Sequence, residues 1–509
     1  MMVASSRILN HRGEPFSAVD SVESRRKQVW DRIIARFDSA QTTADNANHW
    51  AAADGLSAKA AANPEVRKKI RERSRYETAN NSYLKGMVLT IANATIGTGP
   101  RLQMKTDDPE LNAFIEREFH DWCDEIRLAD KLRTAEMATI VDGESFVMRS
   151  ANYRQLTPVK ADLHVIEADQ ISTPYLDLSP DAVDGLVMGA DNYVDGYHML
   201  KRHPGDEYGW TLESRVISYR DMVHLFREDR PGQRRGISET QPSLHLFAML
   251  RRFVLAVLAA AETAADYAAI MYTDSNALEA DDIPNLDPND AMPIDRRVFQ
   301  IMPNGWKMSQ LKAEQPTTTF AEFRAAIINE AARCFLMPFN LATGNSSGYN
   351  FASGRLDYHI WENAVHIRQY ARQRGICKQA LWWWFREAMA LPGYLPAGLT
   401  QRDLLHHVFL WPAVTGPIDQ LKEANANATD LETGLTHRGI LLAKKGIDVD
   451  EHDEEAARID GFANKEEWRQ AVVKARYNIV ENPETRPRRE DERDEIDATL
   501  WRYPNRVIV

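Results

Sequence analysis

GISETQPSLHLFAMLRRFVLAVLAAAETAADYAAIMY, residues 236–272, opens on a glycine, a serine and a proline and then runs thirty residues without a helix breaker. Residues 253–261 are uninterrupted apolar sequence, and the strong helix formers Ala, Leu and Met dominate throughout. A helix of about 30 residues is roughly 45 Å long, beyond most globular helices. Three settings suit such a helix: the core of a large domain, a membrane, or copies of itself packed side by side. Glu262 and Asp266 fall where the middle of a bilayer would be, and Arg251 and Arg252 interrupt the other end. Charges at those depths are expensive in lipid, so the membrane is the weakest of the three.

At 509 residues the chain is too long for one core, and two to four structural units are expected. An apolar fraction of 44% with 27% charged residues is that of a soluble globular protein. Cys123, Cys334 and Cys377 form no CxxC pair, which gives no disulfide framework and no zinc site and fits a reducing cytoplasm. The first residues, MMVASSRILNHRGEPF, lack the apolar core of a secretion signal. A net charge of −12 argues against a broad basic face that grips nucleic acid. It leaves open a surface that nucleic acid slides past.

Working outward from the long stretch, residues 1–60 read as a loosely ordered arm with one amphipathic helix over 22–40. A helix start is marked at Asn63-Pro64-Glu65, and it carries RKKIRERSR (67–75), read as a solvated basic face or, second, a phosphate contact. Asp108-Pro109-Glu110 caps another helix. After Asp142-Gly143 come strand-like pieces, ESFVMRS, ADLHVIE, DGLVMG, YVDGYHML and RVISYRD, which predict a mixed α/β region with hairpins. VHLFREDRPGQRRGIS (223–238) then leads into the long helix. Beyond that helix, 274–295 holds seven acidic residues, three prolines and no Lys or Arg. An EF-hand counted from Asp287 would need glycine where Met292 stands, so calcium binding of that kind is rejected. Pro303-Asn304-Gly305 between apolar runs predicts a hairpin. Thr319-Phe320-Ala321-Glu322 reads as a capping box that opens a second helix, which stops at Pro338. A polar Gly/Ser/Asn-rich loop (339–355) follows, then a long helix over 355–370, and the WWWF cluster (382–385) reads as a core stripe. The remainder is helical with clear stops, and the tail from 481 mixes both charge signs.

Nothing in the chain rises to a catalytic constellation. Gly344-Asn345-Ser346-Ser347-Gly348 matches GxSxG, but a nucleophile elbow needs a buried strand before the serine and a helix directly after it. His359, Glu362 and His366 match neither HExxH nor HxxEH and read as surface histidines. Gly97 and Gly99 lack the third glycine of GxGxxG, position 102 being Leu102, and no P-loop occurs. No cofactor, metal or catalytic residue is expected.

The order of parts carries more than any one residue. SRYETANNSYLKGMVLTIANATIGTGPRLQ (74–103), VHLFREDRPGQRRGIS (223–238), GYNFASGR (348–355) and WPAVTGPIDQLKEANANATDLETGLTHRGILLAKKGID (411–448) resemble the lambda-type family of phage portal proteins, over about 65–465. That resemblance implies an α+β, predominantly helical portal fold, assembled as a ring of usually twelve subunits at one capsid vertex. It implies a flexible arm (1–60), a mixed α/β wing (61–237), a stem helix (238–273), a clip (274–316) and a second stem helix (317–337). A channel loop (338–355), a long helix returning to the wing (356–414), crown helices (415–470) and a charged tail (471–509) complete the expected order. Double-stranded DNA would pass through the channel during packaging and ejection. The terminase large subunit, neck or head-completion proteins and a major capsid or scaffold protein would be partners, with no membrane. The place would be the virion, and the host cytoplasm during assembly. Asn345, Ser346, Ser347, Tyr349, Asn350 and Arg355 become candidates for transient DNA contact, and Glu262 and Asp266 for the channel wall or inter-subunit pairing. A ring of twelve would carry a charge on the order of −140 and present little adhesive surface to a polyanion. The competing classes are an enzyme, a hydrolase using Ser346 or a nuclease with Asp/Glu metal ligands, and a membrane-associated scaffold.

Overall fold

Local signals in the sequence set most helix ends, and long-range ion pairs set how the helices meet. The computed structural model describes residues 55–173, 182–206, 213–266, 270–273, 306–309, 319–348, 350–396, 399–400, 402–414, 420–445, 447 and 449–476. The expected arm helix over 22–40, the acidic residues of 274–295, the turn at 303–305, Tyr349 and the tail from 477 lie outside them. The chain divides into two units, Met1–Asn63 with Arg230–Gly232, and Pro64–Asp229 with Gln233–Val509. Of the first, a short helix α1 (Ala58–Ala61) is capped by Ser57, whose Oγ accepts from the Ala60 amide at 3.2 Å.

The second unit begins with α2 (Pro64–Asn80) and α3 (Ser82–Ile96), separated by Asn81, whose side chain accepts from the Tyr83 and Leu84 amides. Strand β1 (Arg101–Met104) leads to α4 (Pro109–Glu125), capped by Asp108 as expected, and then α5 (Leu128–Asp142). The strand-like pieces form two antiparallel sheets. One has β2 (Glu144–Ala151) between β3 (Ala161–Ile166) and β8 (Met222–Phe226). The other runs β4 (Ala182–Val183), β5 (Leu186–Met188), β6 (Val194–Leu200), β7 (Ser214–Ser218) in chain order.

The long stretch is not one helix. Pro242 sits in a 3₁₀ turn (Gln241–Ser243), α6 spans Leu244–Asp266, and β9 covers Ile270–Thr273. The expected continuation to 272 fails because Ile270, Tyr272 and Thr273, residue types that favour strands, find an antiparallel partner in β10 (Trp306–Ser309). The second helix, α7, runs Thr319–Arg333, so Thr319 lies within it rather than before it. The polar loop is shorter than expected at both ends. A five-residue helix α8 (Phe339–Thr343) opens it, and α9 (Phe351–Arg372) starts as soon as Asn350 can cap it. A π-helical turn (Gln373–Cys377) joins α9 to α10 (Lys378–Ala388), followed by β11 (His407–Leu410), which pairs with β1. Helices α11 (Gln420–Thr433), α12 (Arg438–Lys444), α13 (Val449–Ile459) and α14 (Lys465–Arg476) end the described chain.

Three apolar clusters hold these elements. Trp122, Phe119, Trp383, Trp384 and Phe385 fill the first, so the WWWF run is core, with Trp382 packed at its edge. The second joins α3, the first turns of α6, α7 and the turn after it, α8 and α9 through Leu84, Phe247, Ile328, Phe335, Ala342 and Trp361. The third lies between the two sheets, around Phe146, Tyr197 and Met222.

The basic run on α2 is neither a solvated face nor a phosphate contact along its whole width. Arg67 and Arg71 are buried and, with Arg75, recur every four residues, which places them on one face. Arg67 pairs with Asp184, Arg71 reaches Asp169 at 3.4 Å, and Arg75 grips Asp142 at 2.7 and 2.8 Å. Lys68, Lys69 and Arg73 remain exposed. At the centre lies Glu144, fully buried, which receives Arg235 through Nε and Nη2 at 2.8 Å each, His224 Nε2 at 2.9 Å and the Gly236 amide at 2.9 Å. The chain at Gly236 crosses Gly143 so closely that a Cβ on Gly236 would stand 2.1 Å from the Gly143 carbonyl oxygen. A Cβ on Gly143, at φ +90°, would stand 2.2 Å from the Ile237 carbonyl carbon. Glu144→Gln leaves Arg235 as an uncompensated buried charge and is expected to destabilise the protein by about 3–5 kcal/mol, measured as a lowered denaturant midpoint. Gly236→Ala is expected to abolish soluble folded protein, read by yield and circular dichroism.

Candidate functional site

The polar loop hangs between two elements that are both rooted in the second cluster. Leu336, at φ +56°, turns the chain out of α7, and Met337 and Ala342 are buried on either side of Pro338. Gly344, at φ +65°, ends α8, and the Asn345 amide donates back to the Asn340 carbonyl at 3.1 Å. Asn345 Oδ1 accepts from the Ser347 amide at 2.9 Å, closing an Asx turn, and Asn350 Oδ1 accepts from the Ser353 amide at 2.9 Å. Asn345, Ser346, Ser347 and Asn350 are thus brought together, all exposed, with exposed Arg355 one turn into α9. The Asn345 and Asn350 side chains are held by neighbouring backbone amides, and the exposed Ser346 and Ser347 add hydroxyls to the same short loop. No strand precedes Ser346: α8 comes before it and α9 begins only at Phe351, so the geometry of a nucleophile elbow is missing. His359, Glu362 and His366 share the exposed side of α9, with imidazole-to-carboxylate distances of 3.7 and 3.9 Å.

The α6–α7 pair is the second part of the site. Phe253 of α6 stacks on Phe320 (5.6 Å between centroids) and meets Phe323 edge-on (4.7 Å). Toward its start α6 buries Phe247 and Leu250 in the second cluster; further on, Met249, Val254, Leu255 and Leu258 are exposed, and so is Phe323 on α7. Full burial of a side chain of this size contributes roughly 1.5–3 kcal/mol, so the exposed face represents a large unused stabilisation. Glu262 lies exposed near the far end of α6, away from the loop in sequence; the side chain of Asp266 lies outside the described residues.

A second buried charge network ties the site to the rest of the unit, and the sequence reading did not single it out. Glu136 of α5 is fully buried and receives Arg372 Nε and, at 3.1 Å, Arg368 Nη1, both from α9. Arg368 also donates at 3.0 Å to Glu239, just before α6, and Glu239 receives Arg227 Nη1 at 3.0 Å as well. The helix that follows the loop and the chain that leads into α6 are therefore clamped to one another. The signal was present: Arg368 and Arg372 stand four apart on α9, and Arg227 lies within 223–238. Burial alone would raise the Glu136 carboxyl, but Arg372 and Arg368 outweigh it and hold it below the usual range. Glu144 is held well below that range by Arg235 and His224 against the same burial penalty. Burial pushes the His224 imidazole down, ahead of the opposing pull of Glu144. Among the described residues one group has metal-ligand proximity, Glu167, Asp169 and His203. Arg75 already faces Asp169 at 2.8 Å and Glu167 at 3.3 Å, so a guanidinium supplies the positive charge there.

Residues 44–369 match a family model described as phage portal protein, lambda family. Among solved structures, the chain resembles one described as the neck of a native GTA particle computed with C12 symmetry. There the identity is 15%, with 75% of this chain and 94% of that chain covered, and the TM-score is 0.44. It also resembles the virion of a native gene transfer agent particle at the same identity and coverage, with a TM-score of 0.42. No curated protein matches the chain.

The pKa directions give a signed prediction. Below about pH 6.5, the usual imidazole value, the unfolded chain takes up a proton that folded His224 refuses. Below about pH 4.5 it takes up protons that Glu136 and Glu144 refuse. Stability therefore falls with falling pH in both windows. The thermal midpoint is expected to drop steadily between pH 7 and pH 4, and His224→Gln to flatten the upper part of that curve.

Proposed function

We propose that this chain, which belongs to the lambda family of phage portal proteins, works as the head-tail connector of a phage particle by closing into a ring, usually of twelve copies. The portal family is structural, and the portal function follows from membership. The observation that carries the ring is α6. Gln241–Glu262 has a mean hydropathy of 1.8, long and apolar enough by length and composition to cross a membrane, yet only 11% of it is buried. A helix rooted in the protein at one end and apolar on its free face needs a cover, and identical neighbours provide one.

In this reading α6 and α7 are the stem, and 274–316 is the clip that meets the terminase large subunit during packaging and neck proteins afterwards. The region 61–237 with 356–414 is the wing, and the helices within 415–470 are the crown, facing the capsid interior. The arm (1–60) and tail (471–509) stand outside these parts. Loop 338–355 points into the channel, where Asn345, Ser346, Ser347, Tyr349, Asn350 and Arg355 make brief contacts with passing double-stranded DNA. Glu262 and Asp266 line the channel or pair between subunits. A formal charge of −12 per copy keeps the wall from holding a polyanion. Scaffold or major capsid protein places the ring at one vertex of the virion, after assembly in the host cytoplasm. The chain supplies the conduit, and the ATPase is a separate protein.

Purified protein is expected to run as a particle of several hundred kilodaltons by native mass measurement, without detergent. A requirement for detergent would favour the membrane reading of α6 instead. Leu255→Glu with Leu258→Glu, both at exposed positions, is expected to yield folded monomers. If glycine replacement of 344–350 leaves DNA packaging and genome retention unchanged, the channel role of the loop is wrong.

A further inference from the structure

The face of α9 turned away from the core carries a second apolar ridge. Trp361 and Val365 point inward, at 2% and 0% exposure, while Leu356, Ile360, Ile367 and Tyr370 are 64%, 50%, 71% and 59% exposed. Their spacing of four, seven and three residues is the helical period, so the four make one stripe. Asp357 and Glu362 flank it, with Arg355 at one end. The stripe lies on a different element from the exposed face of α6 (Met249, Leu255, Leu258).

A groove of about 630 Å³ runs between α2 and α6, with Ile70, Tyr76, Leu244 and Ala248 among its walls. Its charges are mostly spent on each other: Arg251 pairs with Glu77 at 2.9 Å, and Lys69 with Glu72 at 3.6 Å. Arg73 has no ion-pair or hydrogen-bond partner among the described residues and leaves the groove with a positive charge. This is the exposed remainder of the basic run on α2.

We propose that the α9 ridge of one copy docks in the α2–α6 groove of the next copy, with Arg73 facing Glu362 across the contact. The pairing rests on the ring reading and adds to the α6 face a second pair of surfaces that make the ring. A closed ring needs a heterologous contact, two different patches on each subunit that fit one another. Ridge and groove are two such patches: a helix presenting apolar side chains at helical spacing, and a concave apolar trough between two helices. Their charges have opposite sign, which fixes orientation more than it adds affinity. The same contact would take the ridge out of water while leaving the polar loop at the start of α9 free.

The test uses the full chain with two different affinity tags. Ala248→Cys on one tagged form and Ile367→Cys on the other, co-expressed and treated with a short bismaleimide, are expected to give covalent dimers that carry both tags, and neither variant alone to do so. Arg73→Glu is expected to lower the fraction of rings at fixed concentration about tenfold, and Glu362→Arg in the same chain to restore it. Both side chains reach solvent, and an unchanged thermal midpoint shows that the variants fold. Rings of wild-type mass without mixed-tag dimers, or an Arg73→Glu defect that Glu362→Arg fails to rescue, would overturn the pairing and leave the ring reading intact. Wild-type chain that stays monomeric at every concentration would remove both.

Discussion

Arg235 has five N–H donors, and all five are used inside the protein. Two go to Glu144, and the others reach the carbonyls of Ile171, Ala168 and Asp184. Taking two charges out of water is costly, and the mutual attraction offsets that cost only where every remaining donor and acceptor is met. Here they are met by segments from four separate parts of the chain, so the pair can form only when all four have arrived. The segment 227–239 then crosses Gly143, and the Ser238, Thr240 and Ser74 hydroxyls, 2.7–3.1 Å apart, fix the point from which α6 departs. The direction of the long apolar helix is thus set by ionic and polar contacts at its root.

Polarity is distributed in an unusual way. Two ionic networks, around Glu144 and Glu136, lie inside beside the apolar core, while apolar side chains also stand outside on α6, α7 and α9. A buried ion pair is a weak source of stability but discriminates sharply between right and wrong arrangements. Apolar surface does the reverse, contributing much stabilisation with little directional preference. In the proposed ring this division would settle the specific interactions within each copy and leave the strong, permissive ones for the joint.

Much of the layout was legible because it rests on local chemistry. Asp108 and Asn350 cap helices where their side chains reach free amides, and the strand-like pieces after Gly143 pair as antiparallel strands. What escaped was long-range. The basic run on α2 has the composition of a solvated face, and only the fold supplies Asp142, Asp169 and Asp184 as partners. The spacing of Arg67, Arg71 and Arg75 on one face held the clue. The stretch 236–272 has helix-forming composition throughout, yet its last residues become strand because Trp306–Ser309 pairs with them. At the polar loop, residue types gave flexibility and exposure, while the Asx turn and the αL glycine that organise it needed coordinates.

The pairing of β9 with β10 has one more consequence. Thr273 faces Trp306 in the ladder, so the chain leaves and returns at a single point. Directly opposed residues stand about 4.5–5.5 Å apart, and the closure entropy of what lies between grows only slowly with its length. Segments of quite different size and composition can be grafted there without moving either helix. A lineage could exchange the sequence of 274–305 as a cartridge while the helices on either side of it in the chain, and the ion pairs that precede α6, are inherited unaltered.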